Sequence, residues 1–250
     1  MKATACICPC LALAVLAGCH STATGKQPLR IAVAADAAGA ARDIGTAFTA
    51  QTGIPTVVVP GASGVLEQQI AGGAPYGVFL SADSSFVDKL IHSGQGDAAS
   101  AAVYSHGTLV LVSRTGLPDV RTVRDLANAR YQHISVANPA VAPYGAAAVQ
   151  ALHTAGIWPQ VKSRVVYAGN VIEALQQVST GNSDAAFTSL TLTINRKPPA
   201  MVVPAAQYRP IAQKMCVTKY GDRSPAALQW VKVLMSRQGT AILAAHGLKR

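Results

Sequence analysis

Residues Pro55–Asp83 read PTVVVPGASGVLEQQIAGGAPYGVFLSAD. Pro55–Val59 is a short β-branched run, suited to a buried strand. Gly61-Ala62-Ser63-Gly64 follows as a loop of small residues, Val65–Ile70 has helical spacing, and Gly72-Gly73 ends that helix. Gly77–Ser81 is again strand-like, and Asp83 stands where it would cap a helix over Ser84–His92. One strand, one helix and a second strand thus occupy a single short stretch.

The same alternation extends in both directions. Upstream, Leu29–Ala35 predicts a buried strand and Ala41–Thr52 a helix, with Ile44 and Phe48 one turn apart and Gly53 as its stop. Downstream, Thr108–Ser113, His133–Ala137, Arg164–Tyr167 and Ala185–Thr188 predict strands, with helices at Ala146–Ala155 and Val171–Ser179. Near the end, Ile211–Thr218 predicts a strand and Ala226–His246 two helices broken at Gly239. This order predicts an α/β fold with parallel or mixed sheets and helices on both faces. Ligands of such sheets sit beyond the strand C-termini, where loops enter helices.

The chain has 250 residues, half of them hydrophobic and 13% charged. That excludes a charge-rich disordered chain and supplies a sizeable core. Aromatics at 5% argue against a base-stacking nucleic-acid surface. The formal charge of +10 points to an anionic partner.

The first residues are processing signals rather than fold. Lys2 precedes an apolar run to Gly18 that is too short to span a membrane and is interrupted by Pro9. Residues 1–18 read as a signal peptide. Leu16-Ala17-Gly18-Cys19 resembles a bacterial lipobox, which implies lipidation of Cys19; the alternative is an ordinary secretory signal that happens to contain Cys19. Residues 19–28 then form the anchor and a polar tether. Removing 18 of 250 residues leaves 232 and lowers the charge to +9, because Lys2 is lost. Cys6, Cys8 and Cys10 go with the signal and Cys19 is the anchor, so Cys216 is the one cysteine left in the domain, which excludes an intrachain disulfide and a cysteine metal cluster. The expected location is the extracytoplasmic face of a membrane.

Four loops between a strand and a helix are candidate binding elements: Ala34–Ala37, Gly61–Gly64, Asn138–Gly145 and Ala168–Val171. Their small residues let backbone N–H groups approach a ligand, and each helix start offers unpaired donors and partial positive charge.

The segments GASGV, GGAPYGVFLSAD, NPAVAPYG and AGNVIEALQQVSTGNSDAAF, in that order, resemble the periplasmic molybdate-binding proteins of ABC importers, a type II solute-binding family, over roughly residues 29–249. The resemblance implies a two-lobe clamp that closes on a tetrahedral oxyanion, molybdate or tungstate, without a cofactor or coordinated metal cation. It also implies a monomer that passes its ligand to an importer permease. By the same resemblance lobe one is 29–108 plus 212–250 and lobe two is 109–211; Gly107 and the stretch around Pro210 are hinge candidates from their position alone. Ser63 matches the family's ligand serine. Tyr144 and Val171 fall on backbone donors, Asp36 on the first ligand position, and Ser189 on a position where some members use tyrosine. Asp36 departs from the pattern, since a carboxylate repels an oxyanion. Two readings stand: Asp36 caps its helix and offers its own N–H, or its carboxylate enters the site and the ligand is protonated, different or absent.

Other chemistry finds no support. Val65 breaks the G-x-S-x-G elbow of serine hydrolases, and the six histidines are scattered. Cys216 reads as an inert buried thiol, and Asn182 and Asp184 as turn residues. Tyr76 reads as either a cleft-mouth or a surface tyrosine. A non-catalytic anion receptor is favoured; the alternatives are a binder of another anion such as sulfate, or a sensory or enzymatic protein on the same clamp.

Overall fold

The computed structural model describes residues 26–249. The signal peptide, Cys19 and most of the tether lie outside the described residues. Strand β1 (Leu29–Ala34) is the axis of the first half: Ile31, Ala32 and Val33 have no solvent exposure. It runs parallel to β2 (Thr56–Gly61) and β3 (Val78–Ser81). Helix α1 (Ala38–Thr52) makes the crossover, burying Ile44 and Phe48 and ending at Gly53, whose φ of 66° suits glycine. Helices α2 (Ser63–Ala71) and α3 (Ser84–His92) follow β2 and β3. Asp83 caps α3 as the sequence predicts, accepting the Ser85 N–H at 2.7 Å.

Two further strands complete this sheet. One is β4 (Ala102–Gly107), a segment the sequence did not mark because AVYSHG shows no clean apolar alternation. Beyond it the chain leaves for a second sheet and returns only as β10 (Ile211–Val217), which lies antiparallel to both β3 and β4. The order is β2-β1-β3-β10-β4. The second sheet repeats this plan as β7-β6-β8-β5-β9. There β6 (Ile134–Ala137) is parallel to β7 (Val165–Ala168) and β8 (Ala185–Ser189), and β5 (Leu109–Ser113) is antiparallel to β8 and β9 (Met201–Val202). Helices α4 (Pro143–Thr154), a short α5 (Trp158–Val161) and α6 (Val171–Ser179) cover it. The chain crosses between sheets at Thr108 and again between Val202 and Ile211. Each sheet has its own apolar core, one around Phe48 and Trp230, the other around Leu111 and Phe187.

Three local expectations need correction. The C-terminal helices are α7 (Pro225–Met235) and α8 (Arg237–Ala245), and they break at Ser236, not Gly239. Ser236 is extended and its Oγ accepts the Gly239 N–H, so it caps α8. Gly239 is instead the residue that lets α8 fold back on α7, since a Cβ there would lie 2.2 Å from the Leu234 carbonyl oxygen. Tyr76 is neither at the cleft nor on the surface: it is buried, its hydroxyl bonds Gln69, and Arg30 lies over its ring. Asp184 does more than turn the chain. It accepts the N–H groups of Gln132 and His133 and a guanidinium N–H of Arg114, which ties β8 to the entry of β6 and the end of β5. These donors hold its carboxyl below the usual range.

Cys216 is fully buried, and burial pushes its thiol up to about 12, as expected of an inert packing residue. Among the described residues no helix is long and apolar enough to cross a membrane.

Candidate functional site

The C-terminal ends of β1, β2, β6 and β7 deliver the four candidate loops to the seam between the sheets. Ala35–Ala37 continues β1 as one tight turn. Asp36, at its centre, is 3% exposed. Its carboxylate accepts the Tyr144 hydroxyl from α4 at 2.9 Å, a bond that joins the two halves. It also accepts Gln213 Nε2 from β10 and lies near the N–H groups of Asp36 and Ala37. Its main-chain oxygen accepts the Thr191 hydroxyl at 2.7 Å, a second bond from the β8 side.

The capping reading of Asp36 needs correction: the residue lies inside the one-turn helix, and Ala34 and Ala37 hold the cap positions without a side-chain bond. The Asp36 carboxylate instead reaches across the seam to Tyr144. Burial raises its carboxyl from 3.8 to about 6, and the hydrogen bonds from Tyr144 and Gln213 oppose that rise. Burial, and secondarily the Asp36 charge, pushes the Tyr144 hydroxyl well above its ordinary value, so this tyrosine is a neutral donor.

Ser63 opens α2 rather than capping it; Ala62 holds the cap position. The Ser63 Oγ accepts the Ala82 N–H at 3.0 Å, which leaves its O–H proton for another acceptor. The next residue, Gly64, donates its N–H to the Val141 carbonyl at 2.9 Å, again across the seam. Glycine eases that approach, because a Cβ would lie 3.0 Å from Val141 Cα and the two main chains would have to part by a few tenths of an ångström.

Tyr144 and Val171 lie in the first turns of α4 and α6, where main-chain N–H groups have no acceptor within the helix. Helix α4 starts three residues earlier than the periodicity predicts, because Pro143 occupies a first-turn position where it loses no bond. Gly145 lets α4 pack on β6: a Cβ there would fall 1.9 Å from the Ala137 oxygen. Asn170 caps α6 by accepting the Ile172 and Glu173 N–H groups. Thr188 bonds the Val171 carbonyl, and the Ser189 hydroxyl meets that of Thr191 and accepts the Thr191 N–H. Asp36, Ser63, Tyr144, Val171 and Ser189 are all buried along this seam.

The sequence reading missed Gln213, Thr191 and Tyr104. Gln213 left a trace: it shares the buried face of β10 with Ile211, Met215 and Val217, where a polar residue needs a reason. Its Oε1 and the Tyr104 hydroxyl are buried without a hydrogen-bond partner among the described residues. Thr191 left no signal, since its position depends on the turn after β8. The described residues hold no group of three or more His, Cys, Asp or Glu fit for a metal ion.

Comparison with known proteins agrees with this architecture. The family model described as bacterial extracellular solute-binding protein matches residues 29–249. The molybdate-binding protein ModA of Azotobacter vinelandii is 34% identical over 242 residues, covering 95% of this chain and 96% of the relative. ModA of Rhodobacter capsulatus is 31% identical over 240 residues, with 94% and 93% covered. The solved periplasmic molybdate-binding protein of Azotobacter vinelandii superimposes with a TM-score of 0.82 at 32% identity, covering 89% of this chain and 99% of that one. With two mixed sheets, a seam of helix starts and a family match spanning both, this chain belongs to the bacterial extracellular solute-binding protein family.

Proposed function

We propose that this protein is an extracytoplasmic receptor for a tetrahedral oxyanion, molybdate with tungstate as its near equivalent, and that it hands the anion to an ABC importer permease. One observation carries the reading: buried helix starts and hydroxyls from both sheets meet at one seam, with Tyr144 and Gly64 already bonded across it. The two ModA relatives are named for molybdate binding. Molybdate is fully deprotonated near neutral pH and only accepts hydrogen bonds, so neutral donors suffice. Those assigned to it are the Ser63 hydroxyl and the N–H groups at Asp36, Tyr144 and Val171, with the Ser189 hydroxyl joining them once it leaves Thr191, to which it donates in this structure.

Lobe one is 29–108 plus 212–250 and lobe two 109–211, with bending at the two crossings. Donors from both lobes are complete only when the clamp is shut, so the anion favours closure and the permease reads the closed face. The receptor acts as a monomer without catalysis. The lipobox sequence supports lipidation of Cys19 and a membrane tether through residues 19–28, and the positive charge draws anions toward the protein.

Thermal denaturation with molybdate, tungstate, sulfate and phosphate tests this reading. At a thousandfold excess over Kd, the true ligand should stabilise the fold by about 4 kcal/mol. A shift with sulfate alone would reassign the anion, and no shift with any of the four would reject the receptor.

A further inference from the structure

Asp36 places a buried carboxyl among the donors assigned to a dianion. Its surroundings supply no compensating cation. The turn of residues 35–37 packs against α1, α6 and the turn after β8, while Tyr144, Gln213 and Tyr104 approach from α4, β10 and β4. On α1, Arg42 is exposed and Asp43 bonds His246. On α6, Glu173 turns to the Gly169 N–H and to Asn170. On β10, Lys214 is held by Asp88; His106 on β4 and His153 on α4 are exposed. The β8 turn carries no charged side chain between Ser189 and Leu192. Thus only neutral groups face the carboxyl: the Tyr144 and Tyr104 hydroxyls, the Gln213 amide and main-chain N–H groups.

A second observation points the same way. An ionised Asp36 only accepts hydrogen bonds, so Gln213 turns its NH2 toward it, and Gln213 Oε1 is left buried without a donor. A protonated Asp36 has an O–H to give, and turning the Gln213 amide over pairs that O–H with Oε1 while moving the NH2 to the place Oε1 held.

We propose that Asp36 carries a proton whenever the cleft holds its oxyanion, so that ligand uptake above neutral pH binds one proton along with the anion. The proposal rests on the oxyanion-receptor reading and names a control on that same site. The proton comes from solvent and stays on the carboxyl; no bond of the anion is made or broken. With the seam shut, burial raises this carboxyl to about 6 before any ligand is bound, so in that form it is protonated below that pH and ionised above it. The sign follows. Affinity is highest and flat below about pH 6, and falls tenfold per pH unit above it. At pH 8 about one molecule in a hundred is competent, and Kd is about 100-fold weaker than at pH 5.

The test is calorimetric titration of the full-length chain in detergent with micromolar sodium molybdate between pH 5 and pH 9. Pairs of buffers with different ionisation enthalpies count the protons. The expected result is close to one proton taken up per molybdate at pH 8 and close to none at pH 5. Asp36→Asn should bind without proton uptake, equally at all pH values, and about 100-fold more tightly than the parent at pH 8. The proton count on the unmodified chain needs no variant to fold.

Molybdate binding without proton uptake and without pH dependence overturns the coupling and leaves the receptor standing. Tight phosphate binding that Asp36→Asn abolishes also overturns it, because the carboxylate would then be accepting a proton carried by the ligand. Binding of no oxyanion by either protein rejects the receptor, and the coupling with it.

Discussion

At the scale of single residues, Asp36 sets the behaviour of the seam. Its folded-state carboxyl near 6 lies above the ordinary 3.8, so the native state holds a proton that the unfolded chain has released between those values. Stability therefore falls as pH rises through this window, by about 3 kcal/mol in all. Asp36→Asn removes the ionisation and keeps an oxygen for Tyr144 and an NH2 for Gln213. Chemical denaturation should find this variant more stable than the parent by up to about 3 kcal/mol at pH 8, with the difference shrinking to near zero at pH 4. A variant less stable at pH 8 would show that the ionised carboxylate is a net structural asset.

Among the elements, α2 and its Gly64 contact decide whether the seam can shut. The Phe86 ring beside Gly64 can turn away from an added methyl, but the Val141 main chain cannot. Gly64→Ala should thus leave the ligand-free melting transition within about 1 kcal/mol of the parent, a surface-like cost. It should weaken anion binding at least tenfold, because the closed state is strained. Titration beside a denaturation curve separates the two effects. Equal losses in both would place the methyl's cost inside one lobe rather than between them.

For the whole molecule, two sheets are joined by two chain crossings, and in the proposed clamp the shut form is held by few bonds. Tyr144 to the Asp36 carboxylate and Thr191 to the Asp36 main-chain oxygen are two of them. A bond to a charged group and a neutral one together contribute roughly 2–4 kcal/mol. Combining Tyr144→Phe with Thr191→Val should move the open–closed equilibrium thirtyfold or more toward open at pH 8. Small-angle scattering would read this as a larger ligand-free radius of gyration. An unchanged radius would mean that packing alone holds the lobes together.

Much of this was legible from the chain alone. Buried runs of continuous apolar residues, such as Ile31–Ala34 and Leu109–Val112, announce themselves because both faces are covered. Helix caps such as Asp83 read directly because the capping bond spans two residues. The small-residue loops that meet at the seam were also visible, and so was the carboxylate of Asp36 among them. The sequence did not show that β4 belongs to the first sheet, that Ser236 and not Gly239 divides the last helices, or that Gln213 returns from the C-terminal part to lie beside Asp36. Nor did it show that the Asp36 carboxylate would find its donor on Tyr144, 108 residues away. Local bonds and periodicity are properties of neighbouring residues. Long-range partners, burial and the resulting rise of a carboxyl exist only once the two sheets are brought face to face.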